Sequence, residues 1–308
     1  MPEFDYIAEL DKVFKEKIYS ADNDDDRAKE IVLLCIGVII KQPETILGFL
    51  RFQSLKQKML QLLTQSFEIK TGDMLEMFFT NLISSKYTNI NKNIIDPNDD
   101  SNKKKCDQLF YQGDDIIFIE HKIRDNHDST KKVGQSGNFD EKIKIIHKLY
   151  PENKIRSYEW FIDDQFKKNR NYYESIIDVI NNETSDYNQS FLMYGRELID
   201  EFFDSTTWDK FVEAYLKVKT SYVLNIDKAI SSYDFDEDPS EIIYKELIKK
   251  RKPMIRLFFN KEFKEVRNEF FSGGKMAKKI YEYHKSKKTK TKTGQEFISE
   301  YEKERNRC

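Results

Sequence analysis

Asp107, Glu120 and Lys122 are three residues whose types and spacing could do chemistry. Two carboxylates with backbone oxygen suit Mg²⁺, a hard cation that keeps several waters and takes few protein ligands. A metal held there turns water into a nucleophile near neutral pH and neutralises charge on a phosphoryl group under attack. Lys122 can position that water or stabilise the pentacovalent charge, and desolvation eases a lysine's loss of its proton. The same residues also have a plainer reading. Asp107 can be an ordinary turn or strand-edge acid, and Glu120 and Lys122 the solvated face of an edge strand, where charges discourage aggregation.

The elements that must position the trio are two short strands. CDQLFYQ (106–112) is one run, GDD is a turn signal, and IIFIEHKIR (116–124) is a second run rich in Ile and Phe. Side chains alternate along a strand. Glu120 and Lys122 therefore share one face, and Ile117, Ile119, His121 and Ile123 share the other. If the strands pair about the turn, Asp107 lies beside Glu120 and Lys122, with the apolar face on the core and the charged face toward a cleft or water.

Asp107 followed by Glu120-His121-Lys122 at the end of an apolar strand resembles the active-site pattern of the PD-(D/E)xK nuclease superfamily. Cys106 stands where the pattern's Pro would be, a position that varies. The following segment, HKIRDNHDSTKKVGQSGNF, is similar to the one after the catalytic Lys in a group of type II restriction endonucleases. The resemblance covers roughly residues 70–200. It implies a Mg²⁺-dependent, sequence-specific endonuclease acting on double-stranded DNA, with Asp107 and Glu120 on the metal and Lys122 assisting the water. It also implies a Glu on the helix before the core strands reaching the metal or its waters. Glu76 is that candidate, with an N-terminal capping role as its plainer reading. A palindromic site would be matched by a symmetric homodimer.

The chain has 308 residues, enough for one large domain or two, and a net charge of −2. There is no global basic signature, but steering by charge depends on where the charges sit. Three cysteines, Cys35, Cys106 and Cys308, are too few and scattered for a disulfide framework or a zinc site. That usage suits a reducing cytoplasm. The longest apolar run, IVLLCIGVII, is too short to span a bilayer, and MPEFDYIAEL lacks a signal-peptide pattern.

Residues 1–70 read as helices, a third of them covering 44–65 after Pro43. A separate helix is expected to start at Thr71 or Asp73, then a core strand over TNINKNIID and a polar loop over DPNDDSNKKK. Beyond Lys122, RDNHDSTKKVGQSGNF reads as a surface loop running into a helix. Arg124, Lys131 and Lys132 can bind phosphates there, and Gln135 and Asn138 can read base edges or position the scissile strand. His127 lies in that loop. His121, His147 and His284 read as core or structural. DEKIKIIHKLY is an amphipathic helix and KIRSYEWFID a strand, which makes a crossover with parallel strands. QFKKNRNYY is basic and aromatic, and Lys167 and Lys168 can face DNA or snorkel from a helix start. QSFLMYG is a further strand and RELIDEFF a helix.

From Thr206 the pattern is helical, with a long helix over PMIRLFF to YHKS interrupted at Gly273-Gly274. A basic run, KSKKTKTKTGQ, reads as a flexible arm or a solvated linker. The expected fold is therefore α/β, with a mixed central sheet of the PD-(D/E)xK nuclease core flanked by helices and with helical N- and C-terminal additions. The divisions are a helical region over 1–70, the nuclease core over 71–204 and a helical region over 205–308. The alternatives are a repair or junction-resolving nuclease of the same superfamily and a non-catalytic DNA-binding protein on a nuclease core.

Overall fold

The computed structural model describes residues 4–18, 30, 33–34, 36–38, 55–126, 128–183, 188–222, 241–249, 251–287 and 291–306. Cys35, His127 and Cys308, most of the helix expected over 22–40 and residues 44–54 lie outside them. The chain divides into two compact units, Met1–Phe14 with Thr71–Ser221 and Lys15–Lys70 with Tyr222–Cys308.

Helix α1 (Tyr6–Lys17) is followed among the described elements by α2 (Leu55–Ser84). Then come β1 (Thr88–Asn89), β2 (Asn93–Asp96), β3 (Asp99–Lys105), β4 (Gln108–Gln112) and β5 (Asp115–Asp125). Helix α3 (Ser129–Leu149) leads to β6 (Ile155–Lys167), α4 (Arg170–Glu183) to β7 (Gln189–Tyr194), and α5 (Arg196–Phe202) to α6 (Thr207–Tyr222). The main sheet has the order β1-β4-β5-β6-β7. β4 and β5 are antiparallel, while β5, β6 and β7 are parallel, so the sheet is mixed. Gln112 pairs with Asp115, which leaves a two-residue turn in which Gly113 takes a φ of 62°. Tight hairpin turns need that left-handed backbone, and Gly adopts it without steric cost. The two crossovers through α3 and α4 cover one face of the sheet. There Phe118 stacks on Phe139 with centroids 5.4 Å apart, and Phe161 meets Tyr173 at 5.0 Å. The opposite face packs on α2, α5 and α6, through Phe79–Trp160, Phe110–Phe202 and Trp160–Trp208. Strands buried on both faces read as near-continuous apolar runs. IIFI in β5 is such a run, and it is buried on both sides rather than on one.

Several elements differ from the sequence expectation. One strand over TNINKNIID becomes two, because the Asn91 side chain accepts from the Asn93 N–H and turns the chain. Only β1 joins the main sheet. β2 pairs with β3, which the polar sequence had marked as a loop. Nor does a helix start at Thr71 or Asp73: α2 runs unbroken through both from Leu55. Gly72 is tolerated inside it, and a Cβ there would sit 3.8 Å from Ile123. Glu76 is thus mid-helix, and the capping reading falls. Helix α3 begins at Ser129, capped by Asp128, whose side chain accepts from the Lys131 N–H at 2.8 Å. Lys131, Lys132, Gln135 and Asn138 therefore stand on its first turns and not on a loop.

In the other unit the expected long helix is broken into α8 (Arg251–Phe259), a 3₁₀ turn (Lys261–Phe263), α9 (Lys264–Phe270) and α10 (Lys275–Ser286), after α7 (Glu241–Lys249). Leu257, Phe258, Phe263, Met276, Ile280 and Phe297 are buried there, the last on α11 (Lys292–Arg305). Residues 288–290 of the basic run lie outside the described residues, and its end is helical, capped by Thr291.

Candidate active site

Gln108 pairs with Ile119, so Asp107, one residue earlier, stands opposite Glu120. Glu120 pairs in turn with Glu159 on β6. Opposed residues on neighbouring strands point to the same face. Three carboxyl groups therefore stand in one row across three adjacent strands, on the face that α3 covers. The Asp107 carboxylate also accepts from the His121 N–H at 2.9 Å, which takes the place of a ladder bond and fixes its direction.

Two lysines meet this row. Lys122 Nζ lies 2.6 Å from Glu120 Oε1 and 3.9 Å from Asp107 Oδ2. Lys142, from the buried side of α3, donates to Glu120 Oε2 at 2.5 Å. The Lys142 and Glu120 side chains are 5% and 6% exposed, against 21% for Lys122. Burial alone would lower the Lys122 pKa, but the Glu120 and Asp107 carboxylates outweigh it and hold the group above its ordinary value. Lys122 is an ammonium in this arrangement. There the two counter-charges outweigh the desolvation that would ease loss of its proton. Burial also works against ionised Asp107, yet the surrounding cationic charge and the His121 N–H hold its pKa below the usual carboxylate range.

Glu159 has a different environment. It is 0% exposed, and neither carboxyl oxygen has a hydrogen-bond partner among the described residues. Burial pushes its pKa up to about 8, with Lys122 opposing that shift. His121 is buried on the other face with its ring against Trp160, and burial lowers its pKa. Burial pushes the Cys106 thiol up to about 12, so it is inert as a nucleophile.

Glu76 reaches the row only through lysines. It pairs with Lys92 and Lys105 at 2.8 Å each, and Lys92 also donates to the Asp107 carbonyl oxygen at 2.7 Å. These contacts outweigh burial and lower the Glu76 pKa.

The expected DNA-facing residues other than Asn138 gather where β5 and β6 end. Asp125, fully buried, joins those ends by accepting from the Asn169 N–H and side-chain amide and from the Tyr194 hydroxyl. Around it, Arg124 pairs with Asp163 and lies over Phe166. Lys132 lies over Tyr172 at 4.4 Å and Lys167 over Tyr194 at 5.0 Å. Lys131 is exposed, and the Lys168 N–H bonds the Asp125 carbonyl. Gln135 accepts from the Tyr173 hydroxyl, and Asn138 from Lys104 at 3.4 Å. The carboxyl ends of parallel strands are where open α/β sheets bind ligands.

Among the described residues no three His, Cys, Asp or Glu form a ready metal cage. The donor set nevertheless fits a hard divalent cation that keeps its waters: two facing carboxylates, Asp107 partly exposed, with the neighbouring ammonium groups as its competitors. Each oxygen of Glu120 already holds a cationic group. Among the described residues no helix is long and apolar enough to cross a membrane.

Residues 87–219 match the family model described as HinfI, a type II restriction endonuclease. The matched stretch contains Asp107, Glu120, Lys122, Lys142 and Glu159 and leaves out Glu76. Comparisons with curated proteins and with solved structures found no match.

Proposed function

Since residues 87–219 carry the type II restriction endonuclease domain of the HinfI family and the chain is a site-specific deoxyribonuclease, we propose that it uses Mg²⁺ to hydrolyse both strands of one DNA sequence. The observation that carries this reading is the meeting of Asp107 and Glu120 around the Lys122 ammonium inside the matched domain. Asp107 and Glu120 would hold the metal, which when bound supplies a Lewis acid and an acidified water. Lys122, held as an ammonium, donates to the attacking water or to a phosphate oxygen, where it stabilises the added charge of the pentacovalent state. Glu76 positions the site through Lys92, which ties it to the Asp107 backbone. Arg124, Lys131, Lys132, Lys167 and Lys168 bind phosphates, and the donor groups of Gln135 and Asn138 reach base edges. A homodimer would match a palindromic site.

The test is digestion of a sequenced plasmid with Mg²⁺ and mapping of the ends. Discrete fragments with both strands cut at one recurring sequence are expected. Random nicking, or equal cutting in a chelator, would sink the reading.

A further inference from the structure

Each oxygen of the Glu120 carboxylate already accepts from an ammonium group, and a metal ion bound there would put a third cation against the same carboxylate. Repulsion between the metal and two ammonium groups favours an arrangement in which one lysine moves away. Lys142 is enclosed at 5% exposed and held by Glu120, while Lys122 is 21% exposed and stands at the edge of the row. An ammonium moved off Glu120 needs another acceptor, or it leaves the site for solvent. Glu159 is that acceptor. It stands beside Glu120 on the next strand, points to the same face, and offers two buried oxygens that no described residue satisfies. Among the charges acting on it, Lys122 is the one that favours its ionised form. A carboxyl buried without partners is costly, and such groups recur where a site needs them.

We propose that Glu159 is a positioning residue, the second seat of Lys122: when a divalent cation takes Glu120, the Lys122 ammonium moves to Glu159 and stays beside the reacting phosphate. This rests on the assignment of Asp107 and Glu120 as metal holders. A carboxyl that merely fills the core would be replaced by Gln at no cost to metal binding. A second seat would not, since its loss leaves Lys122 competing with the metal for Glu120.

The experiment is Mn²⁺ binding without DNA, followed by electron paramagnetic resonance and calorimetry, in wild type, D107N, E159Q, K122M and E159Q/K122M. Wild type should bind Mn²⁺ and D107N should lose that binding. If D107N binds as wild type does, the metal assignment fails rather than the second seat. E159Q should weaken binding by about tenfold or more, as loss of a supporting partner does, with melting in chelator no lower than wild type. K122M should bind Mn²⁺ more tightly than wild type, because the competitor for Glu120 is gone, and on that background E159Q should have little further effect. Unchanged affinity in E159Q would overturn the second seat. Equal weakening on both backgrounds would make Glu159 act on the metal directly and would also overturn it. K122M remains decisive even if E159Q does not fold: affinity no tighter than wild type removes the competition on which the inference stands.

Discussion

Lys142 Nζ meets Glu120 Oε2 at 2.5 Å, and both side chains are all but closed to solvent. A helix crossing behind the sheet thus fixes the carboxylate that the catalytic reading assigns to the metal. Removing one partner of a buried pair costs about 3–5 kcal/mol where the charge left behind is uncompensated, but Lys122 would still hold the other Glu120 oxygen. Lys142→Met should therefore lower stability, but by less than that, read from the urea midpoint. Adding K122M should deepen the loss, because Glu120 then keeps neither of its ammonium partners. A K142M protein as stable as wild type would show that the pair carries no such weight.

Asp107→Ala and Glu120→Ala should each abolish Mg²⁺-dependent cleavage, a loss on the order of several kcal/mol of transition-state stabilisation. Ca²⁺, larger and a poorer Lewis acid, should support binding without efficient cleavage. Circular dichroism distinguishes lost chemistry from lost fold, and near-normal cleavage by either variant would refute its assignment.

The trio was legible because two local rules suffice for it: alternation along IIFIEHKIR and a tight turn at GDD. Lys142 and Glu159 were not, because each depends on long-range placement. Glu159 reaches Glu120 only through the parallel register of β5 and β6, which a crossover helix of unknown fit leaves open. A signal was present all the same, a lone Glu inside the apolar run of YEWFI. Lys142 falls on the buried stripe of α3 with Phe139, Ile143 and Ile146, and a lysine on an apolar stripe could have drawn notice. The hairpin of β2 and β3 had no such cue. Only β2 alternates between exposed and buried positions; β3 has no buried residue, so its polar sequence reads as a loop. Helix α2 hid its continuity behind cap-like residues at 71–73, whose local preference gave way to packing on the sheet.

Specific DNA binding should weaken steeply with salt in spite of the net charge of −2. Released counterions make affinity fall with log salt, with a slope of roughly one per neutralised phosphate contact. Reversing Lys131 and Lys132 to Glu should reduce that slope. An unchanged slope would move the phosphate contacts elsewhere, with the basic run before α11 as the next place to look.

Glu159 should also leave a mark on stability without metal. Its folded pKa is raised from 4.5 to about 8, so the folded state holds a proton that the unfolded chain releases. Its contribution is full at low pH and is lost as pH climbs from about 4.5 to about 8. A tenfold change in proton affinity is worth about 1.4 kcal/mol, so the total is several kcal/mol at most. In chelator, wild type should lose more stability between pH 5.5 and 8 than E159Q does. Parallel profiles of the urea midpoint would mean that Glu159 is not held neutral.

Lys122→Ala should separate binding from chemistry. If the ammonium acts on the water or the developing charge, it is needed mainly at the transition state. Its removal should depress single-turnover cleavage by orders of magnitude while affinity for the specific duplex in Ca²⁺ changes little. Affinity should even rise modestly, since Lys122 now sits 2.6 Å from a carboxylate that the metal needs. A solvated edge-strand lysine would change neither quantity. Equal loss of both would make Lys122 a phosphate anchor, holding ground state and transition state alike. Ca²⁺ affinity and the Mg²⁺ single-turnover rate, measured on one duplex, distinguish the three, and only a selective loss of rate agrees with an ammonium that acts in the chemical step.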